Sequence, residues 1–533
     1  MSLPSYDELR REAKRLHRDA ESGDPAAIER LAAHGLPRAG GISGPEGAVD
    51  GRSGTIKRAD CLHVIARERG YRSWPRLKLH LKALGMSRED RVWELEECLA
   101  DGQHYVVEEL LDLDPGLPHA HFGIELALVD EATLLARLSA DPGLAVERIG
   151  RRTPLLHLCF SKHHQKHPEL VAASVRVAER LVELGADPND RFDAGDLSAL
   201  YGALGHAGNL PLAHFLLEHG ADPNDNESLY HATELDHNEG IRLLYKHGVR
   251  TTGTNALFRV LDRENPEGLA IMLKNGADPN EPLCGAPPCP AKPGMGNSLH
   301  HAARRMRSGG IIDMLLAAGA DPNDELCGHT AYAIAAIYGN TDAMRTLAAA
   351  AVGAGGAVTK SGARSTPELS ATEAFVAAIV GGRSTEAEAI RRREPSIMSR
   401  LDPIEAAIHT ALAVFPGQLP ALRRLHHFGF DPRLVGDGGM PAFHHAAWRG
   451  DSEVVDFYIR EAQLDLEWEN RYGGTLLSTA IHGSAHCPAH LRVDHLSTIR
   501  LILAAGGKLR PDDGDLTIGS EEVRELLLEV VDG

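Results

Sequence analysis

One phrase recurs along the chain and constrains its fold more than any other feature. It reads LVELGADPND at 181–190, LLEHGADPND at 216–225, MLKNGADPNE at 272–281 and LLAAGADPND at 315–324. Weaker copies read LLYKHGV at 243–249, LHHFGFDP at 425–432 and LILAAGG at 501–507. A phrase that returns in this way predicts a chain of stacked repeats, in which each unit packs against its neighbours.

Each strong copy joins an apolar helix to the same kind of exit. The helix ends in a glycine, which adopts the left-handed backbone conformation that other residues resist. The Asp-Pro pair that follows directs the chain into an extended conformation. The sequence therefore predicts helices that end at Gly185, Gly220, Gly276 and Gly319. Stacked helices also suit a chain of 533 residues, because a single core stops growing at about 250–300 residues.

A second pattern, rich in small residues, opens the helices that follow the exits. It reads TPLLHLC at 153–159, NSLHHAA at 297–303, HTAYAIAA at 329–336 and PAFHHAA at 441–447. Together the two patterns resemble the ankyrin repeat, which has a Thr-Pro-Leu-His turn, an Ala-rich inner helix, an outer helix and a Gly-Ala-Asp exit. The resemblance covers about residues 88–530 and implies an all-α ankyrin-repeat solenoid of eleven or twelve repeats. It also implies that His157, His300 and His444 close turns and serve the structure.

The first 85 residues do not follow the repeat pattern. They predict helices over 5–22, 25–34, 58–69 and 74–84, with a Gly-rich link at 39–54. Segments such as SYDELRREAKRLHRD are similar to a short helical module that precedes ankyrin arrays in bacterial proteins. We favour the interpretation that this segment is an N-terminal cap, because the end of a solenoid needs a polar outer face; the alternative is a separate functional domain.

The remainder divides into two predicted arrays. The first spans 86–350, and a linker at 351–370 contains the Gly-rich stretch AVGAGGAV. The second spans 371–533 and ends in a predicted cap helix at 521–531.

Composition and charge restrict the location and the partners. Without an apolar run of about 18 residues or a secretory N-terminus, we expect no membrane-spanning helix and a cytoplasmic protein. Seven cysteines, an odd number spread along the chain, indicate reduced thiols rather than a disulfide framework. The net charge of −19 argues against nucleic acid as a partner.

The spacing of the exit glycines departs from the usual ankyrin period of 33 residues. Gly185 and Gly220 are 35 residues apart, whereas Gly220, Gly248 and Gly276 follow at intervals of 28. In ankyrin repeats, the stretch that is shortened forms a projecting β-hairpin, here called the finger. Two consecutive repeats should therefore lack a finger and leave a notch in the groove wall. The interval to Gly319 is 43 residues and carries the insert PLCGAPPCPAKPGMGN, which predicts a flap beside the notch.

The helical register indicates which side chains line the notch. The residue after the motif-histidine position faces the groove, as do residues three and four positions further on. Such side chains could bind a carboxylate, a phosphate or an acidic peptide, because arginine offers paired hydrogen bonds. The alternative is a solvated groove with ordinary surface charges. Successive repeats supply His231 with Glu234, Arg259 with Asp262 and Arg263, and His301 with Arg304 and Arg305.

Soft and borderline metal ligands occur on neighbouring loops. Cys284 and Cys327 occupy matching places in PNEPLCG and PNDELCG, and Cys289 and His329 follow them closely. Four such ligands could form a tetrahedral zinc site that staples the flap. The absence of a Cys-x-x-Cys pair weakens this hypothesis, and no other cofactor is predicted.

Two classes of function remain open at this point. Most ankyrin arrays are interaction scaffolds, and this resemblance implies a protein partner bound along the concave groove. The alternative is a small-ligand or catalytic protein that uses the notch around His231, Arg259 and His301 to hold a small anion. No nucleophile motif, P-loop or dinucleotide fingerprint is present, so no catalytic residue is predicted.

Overall fold

A computed structural model provides the structure of this protein. It describes residues 4–34, 58–192, 197–235, 237–282, 296–353, 367–435, 439–487, 491–509, 519–520, 522–523 and 526–527. The chain forms two compact units, one made of Met1–Ser87 and His409–Gly533 and the other of Arg88–Ile408.

Four helices in the first 87 residues enclose a core of their own. They are α1 (Tyr6–Glu21), α2 (Pro25–Ala32), α3 (Arg58–Glu68) and α4 (Trp74–Gly85), which confirms the four predicted helices. Leu9, Leu31, Leu62, Ile65 and Leu77 are buried in this core. Helix α1 begins with a capping box in which Ser5 and Glu8 satisfy each other's backbone N–H groups. The predicted link at 39–54 lies outside the described residues.

The unit Arg88–Ile408 consists of alternating inner and outer helices. The described helices up to the first finger are α5 (Arg88–Asp101), α6 (His104–Leu113), α7 (Phe122–Leu128), α8 (Glu131–Ala140), α9 (Pro154–Cys159) and α10 (Val171–Glu183). Beyond it follow α11 (Ala199–Tyr201), α12 (Leu210–Glu218), α13 (Ser228–Ala232), α14 (Glu239–Lys246), α15 (Ala256–Asp262), α16 (Pro266–Lys274), α17 (Ser298–Arg304) and α18 (Gly309–Ala317). The last are α19 (Ala331–Tyr338), α20 (Thr341–Gly353), α21 (Ala371–Val380), α22 (Ser384–Arg393), α23 (Pro403–Ala406) and α24 (Ile408–Leu412), which crosses the division.

Contacts between helices separate this unit into two layers. From α11 onward each odd-numbered helix contacts the next odd-numbered one as far as α23, and from α8 to α20 each even-numbered helix contacts the next even-numbered one. Alanines on the inner helices, such as Ala232, Ala302 and Ala335, are fully buried. Small side chains allow neighbouring helices to approach closely, so the inner layer stacks tightly.

The segment His409–Gly533 repeats the same arrangement. Its helices are α25 (Leu419–Phe428), α26 (Ala442–Arg449), α27 (Ser452–Arg460), α28 (Leu476–His486) and α29 (His495–Ala504). Here α26 packs on α28, and α27 packs on α29. Gly483 permits this approach, because a Cβ at that position would lie 2.1 Å from the carbonyl oxygen of Trp448.

The exit glycines have the predicted conformation. Gly185, Gly220, Gly276 and Gly319 follow their helices with φ of 104°, 94°, 89° and 95°. Only glycine adopts such values without strain, so these residues end the helices as expected.

The motif histidines are structural, as predicted. His157, His300 and His444 are buried, and the Nε2 of each lies 3.2 Å from a backbone carbonyl oxygen of a finger or loop. The imidazole of His157 donates to Ile149, eight residues earlier, and closes a turn, whereas His300 and His444 donate to His329 and Trp468, which lie 29 and 24 residues further along the chain.

Fingers occur where the spacing predicts them. Strand β1 (Arg191–Phe192) pairs antiparallel with β2 (Leu197–Ser198), and β3 (Glu325–Leu326) pairs with β4 (His329–Thr330). Residues 221–227 and 249–255, all of which the structure describes, contain no strand. This confirms the two consecutive repeats without fingers. Most of the predicted flap, residues 283–295, lies outside the described part of the chain.

The predicted linker at 351–370 is described only at its ends. Helix α20 continues to Gly353, and residues 354–366 lie outside the described residues. Within the described ranges, no helix is long and apolar enough to cross a membrane.

Candidate functional site

The structure brings the predicted notch residues together on three adjacent inner helices. Near α13, the Nδ1 of His231 lies 2.8 Å from Oε2 of Glu234. From α15, Arg259 donates from Nε to Oε1 of Glu234 at 2.8 Å, and its Nη2 reaches the same oxygen. Helices α13 and α15 are therefore joined by an ion pair that is half-buried.

A second carboxylate joins α15 to α17. Asp262 accepts a hydrogen bond at Oδ1 from the Nε2 of His301 at 2.8 Å, and the Nε of Arg305 lies 2.6 Å from the same oxygen. The Nη1 of Arg259 lies 3.7 Å from Oδ2 of Asp262. The two ion pairs thus form one continuous polar chain across three repeats, which we call the charged ridge.

His301 is the buried centre of the charged ridge, with 1% of its surface exposed. Its Nε2–H donates to Asp262, and its Nδ1 accepts a hydrogen bond from Nη2 of Arg304 at 3.1 Å. Both ring nitrogens are therefore hydrogen-bonded, and the imidazole is neutral with its proton on Nε2. Burial lowers the pKa of His301 to about 3, although the hydrogen bond to Asp262 opposes this.

Both carboxylates of the charged ridge remain ionised. Burial acts to raise the pKa of Glu234, but the hydrogen bond from His231 and the charge of Arg259 outweigh it and lower the pKa to about 2. Burial likewise acts against ionisation of Asp262, yet His301 and Arg305 hold its pKa well below the ordinary value. The ridge is a fixed array of charges near neutral pH.

Positive charge exceeds negative charge along the ridge. Arg263, which was also predicted to line the notch, donates from Nη2 to the backbone oxygen of Glu234 at 3.2 Å. Of the eight predicted residues, Arg259, Arg263, Arg304 and Arg305 are always cationic. Against them stand Glu234 and Asp262 within the ridge and Glu227, whose Oε2 lies 3.3 Å from Nε2 of His231. The local surplus of positive charge contrasts with the net charge of −19 for the whole chain.

Tyrosines flank the ridge, and sequence reasoning did not select them. The ring of Tyr201 lies 5.0 Å from that of His231, measured between centroids. The guanidinium of Arg259 lies 5.6 Å from the ring centroid of Tyr230. Both rings are partly exposed. Their place in the inner helices, at and just before the groove-facing positions, was the available signal.

The predicted metal ligands are only partly described. Cys284 and Cys289 lie outside the described residues, and Cys327 is exposed. His329 is buried, and each of its ring nitrogens faces a carboxylate. Nδ1 lies 2.6 Å from Oε1 of Glu373, and Nε2 contacts Oδ2 of Asp402. The zinc site with three cysteines stays a prediction, whereas the carboxylates near His329 are a grouping that sequence reasoning missed.

Charge compensation explains the state of this imidazole. Burial acts to lower the pKa of His329, but hydrogen bonds to Asp402 and Glu373 raise it to about 10. The pKa of each of these two carboxyls lies below its ordinary value, because His329 outweighs the effect of burial. Burial raises the pKa of a third carboxyl, Glu405.

A family model supports the repeat assignment for part of the chain. Residues 408–457 match a family model described as "Ankyrin repeats (many copies)". Two solved structures are similar: the ankyrin repeat domain of human ASB11, at 19% identity over 43% of this chain and 97% of that domain, with a TM-score of 0.34; and that of Bcl-3, a member of the IkappaB family, at 20% identity over 42% and 96%, with a TM-score of 0.31. No curated protein matches the sequence.

Residues 408–457 are therefore similar to ankyrin repeats. Such repeats generally mediate protein–protein interactions.

Proposed function

We propose that this protein binds a protein partner and that the charged ridge contacts an acidic segment of it. One observation carries the proposal: four arginines converge with Glu234 and Asp262 on the inner helices of the two repeats that lack fingers and of the repeat that follows them. Tyr201 and Tyr230 add partly exposed aromatic surface beside them. Arginine and tyrosine are the residues that most often dominate the binding energy of protein interfaces.

Preorganisation supports binding to this surface. The guanidinium of Arg259 is held by Glu234, and that of Arg305 by Asp262. Because these side chains are already ordered, a partner carboxylate that pairs with their remaining N–H groups loses little conformational entropy. Arg263, whose guanidinium donates to the backbone oxygen of Glu234 rather than to a carboxylate of the ridge, is the side chain best placed to turn towards a partner.

The alternative, a small anionic ligand or a catalytic pocket at the notch, has less support. A general base needs a ring nitrogen that is free to accept a proton. His301 uses both nitrogens within the ridge. His231 has Glu234 at 2.8 Å from Nδ1 and Glu227 at 3.3 Å from Nε2. The histidines thus serve to hold carboxylates in place.

The finer features belong to the same proposal. We propose eleven or twelve repeats in arrays at 86–350 and 371–533, a bacterial-type helical module at 1–85 and a cytoplasmic location. The core that α1–α4 enclose supports a helical module in this segment. The thiols of Cys61, Cys159 and Cys327 form no disulfide within the described residues, which suits a reducing compartment.

A peptide array tests the proposal directly. The full-length protein is applied to immobilised peptides of matched length that are acidic, neutral or basic, at low and at physiological salt. We expect retention on acidic peptides that carry aromatic residues, with weaker binding at higher salt. Equal retention on all three classes would contradict the proposal.

Charge reversal locates the surface. Arg263→Glu should weaken binding to the selected peptide at least about tenfold, because it replaces an attraction with a repulsion. The matched control is Arg345→Glu on the outer helix α20, where Arg345 is exposed and pairs with Asp342. Comparable losses in both variants would place the binding surface elsewhere.

A further inference from the structure

Three carboxylates surround one imidazole at the base of the β3–β4 finger. His329, on β4, contacts Glu373 from α21 and Asp402 at the start of α23. Glu405, also in α23, has only 1% of its surface exposed. One ligand atom each from His329, Asp402 and Glu405 lies within 4.8 Å of the other two. Glu373 and Glu405 are buried and Asp402 is partly exposed, so the three groups together hold more potential negative charge than one imidazole compensates.

The backbone of α23 fixes one oxygen of each of two carboxylates and leaves the other oxygen outside the capping box. Oδ1 of Asp402 accepts the N–H of Glu405 at 2.9 Å, and Oε2 of Glu405 accepts the N–H of Asp402 at 3.0 Å. This capping box holds both side chains rigidly. The second oxygen of Asp402 faces the Nε2 of His329.

Glu405 supplies an independent sign of a missing ligand. Its Oε1 is buried and makes no hydrogen bond of good geometry among the described residues, and the Thr372 hydroxyl is a side-chain donor to the same carboxyl group. An oxygen of a carboxylate that receives neither a hydrogen bond nor a cation is costly in a protein interior. A cation placed between His329, Asp402 and Glu405 would satisfy this oxygen.

The second ring nitrogen of His329, Nδ1, has the kind of carboxylate partner that is usual for metal-binding histidines. Nδ1 of His329 lies 2.6 Å from Oε1 of Glu373. Glu373 is itself anchored, because its Oε2 accepts the N–H of Ser370 at 2.7 Å. A histidine ligand usually donates its second N–H to such a carboxylate, which fixes the ring and strengthens the ligand.

We propose that His329, Asp402 and Glu405 bind a divalent transition-metal ion, with Glu373 as the positioning residue behind His329. One imidazole nitrogen and two carboxylate oxygens form a ligand set that suits Mn²⁺, Co²⁺ or Zn²⁺. The ion would tie the β3–β4 finger to the segment that opens α23, across 73 residues of sequence. This site uses none of the three cysteines of the predicted zinc site.

Metal titration of the full-length protein tests the proposal. Protein stripped with a chelator is titrated with MnCl₂ and with CoCl₂ by calorimetry, and the Co²⁺ complex is followed by its visible absorption. We expect one equivalent to bind and a spectrum that reports nitrogen and oxygen ligands. If neither metal binds at millimolar concentrations, the proposal is overturned whatever the variants show.

Two conservative variants separate ligands from positioning groups. Glu405→Gln should abolish the single tight site, whereas Glu373→Gln should weaken it about 10- to 100-fold, as loss of a supporting carboxylate does. Glu405→Gln should fold without metal at least as well as the wild type, because it removes a buried charge. Unchanged metal affinity in Glu405→Gln would show that the cluster is an ion-pair network only.

A control variant excludes metal bound by other histidines. His482 and His486 lie close together on α28, with ring centroids 4.3 Å apart, and such pairs can bind metal adventitiously. His482→Gln should leave the single site unaffected. Loss of that site in His482→Gln would transfer the binding to α28 and contradict the proposal.

Discussion

The imidazole of His301 donates from Nε2 to Oδ1 of Asp262 at 2.8 Å, which joins the inner helices of two neighbouring repeats. His301 is buried, whereas Asp262 also pairs with Arg305 on the partly exposed side. This contact therefore belongs both to the packing of the repeats and to the charged ridge. Its loss should affect stability and binding together.

Removal of the carboxylate is the first prediction. Asp262→Ala leaves the N–H of His301 without its acceptor in the interior and removes the counter-charge of Arg305. We expect a loss of about 1–3 kcal/mol in the free energy of unfolding, the usual effect of an unsatisfied buried donor. Denaturation by urea, followed by circular dichroism, measures it.

The matched control is Asp313→Ala on the outer helix α18, where the carboxylate is exposed. This variant should change the midpoint of unfolding very little, because exposed positions without such contacts are usually neutral. Equal effects of Asp262→Ala and Asp313→Ala would show that the carboxylate in the ridge does not support the packing.

Acid sensitivity is the second prediction. The pKa of His301 is about 3 in the folded protein and 6.5 in the reference state. Because the folded pKa is depressed, the unfolded chain binds more protons between these values. The stability is fully present above about pH 6.5 and is lost as the pH falls from there towards about 3. Burial lowers the pKa of His157, His206 and His444 in the same direction.

Melting temperatures at about pH 7 and about pH 5 test the sign. The wild type should melt at a clearly lower temperature at the lower pH. His301→Gln, which cannot titrate, should lose less stability between the two pH values than the wild type does. If both proteins lose the same amount, the buried imidazole does not contribute to the acid sensitivity.

Much of the fold follows from local patterns in the sequence. The exit glycines, the motif histidines and the four N-terminal helices were predictable because helix periodicity and helix ends are encoded within a few residues. The missing fingers followed from the spacing of Gly220, Gly248 and Gly276. The notch residues followed from the register of the inner helices, which repeats with the motif.

The groups around His329 could not be predicted in this way. Glu373 and Asp402 lie 44 and 73 residues further along the chain. In the sequence, the presence of each of these carboxylates is already explained by local structure, because each takes part in a capping box. Nothing in a capping motif indicates that its second oxygen faces a distant imidazole. Tertiary contacts of this kind require the stacking geometry itself.

The structure also explains why an asparagine follows the Asp-Pro pair in the recurring phrase. Asn189 donates from Nδ2 to the oxygen of Gly220 at 2.9 Å and accepts the N–H of Asp222 at 2.8 Å. Asn280 makes the same two bonds to Gly319 and Asp321, both at 2.9 Å. The amide of one exit therefore satisfies the backbone of the next exit.

This relationship gives the third prediction. Asn189→Ala removes both bonds between neighbouring exits and should lower the free energy of unfolding by about 1 kcal/mol. Asn189→Asp keeps the acceptor but places a carboxylate against the oxygen of Gly220, so it should not restore the stability. Asn275→Ala is the control, because Nδ2 of Asn275 bonds within its own helix, to Ile271. The three variants are unfolded with denaturant, and a comparison of their unfolding midpoints with that of the wild type tests this prediction.

The final prediction concerns a buried charge in α26. Arg449 is 0% exposed and donates from Nη2 to Oδ2 of Asp451 at 2.7 Å. Its Nε and Nη1 have no hydrogen-bond partner among the described residues. Asp451→Ala leaves this guanidinium uncompensated and also removes the cap of α27, so we expect a loss of about 3–5 kcal/mol.

The reverse substitution should behave differently. Arg449→Met removes the buried charge and keeps much of the volume, and buried ion pairs replaced by apolar side chains are often neutral or stabilising. Asp451 would then still cap α27 through the N–H of Val454. Guanidinium denaturation should place Arg449→Met near or above the wild type and Asp451→Ala far below it. If Arg449→Met is as unstable as Asp451→Ala, the guanidinium stabilises the fold beyond its pairing with Asp451.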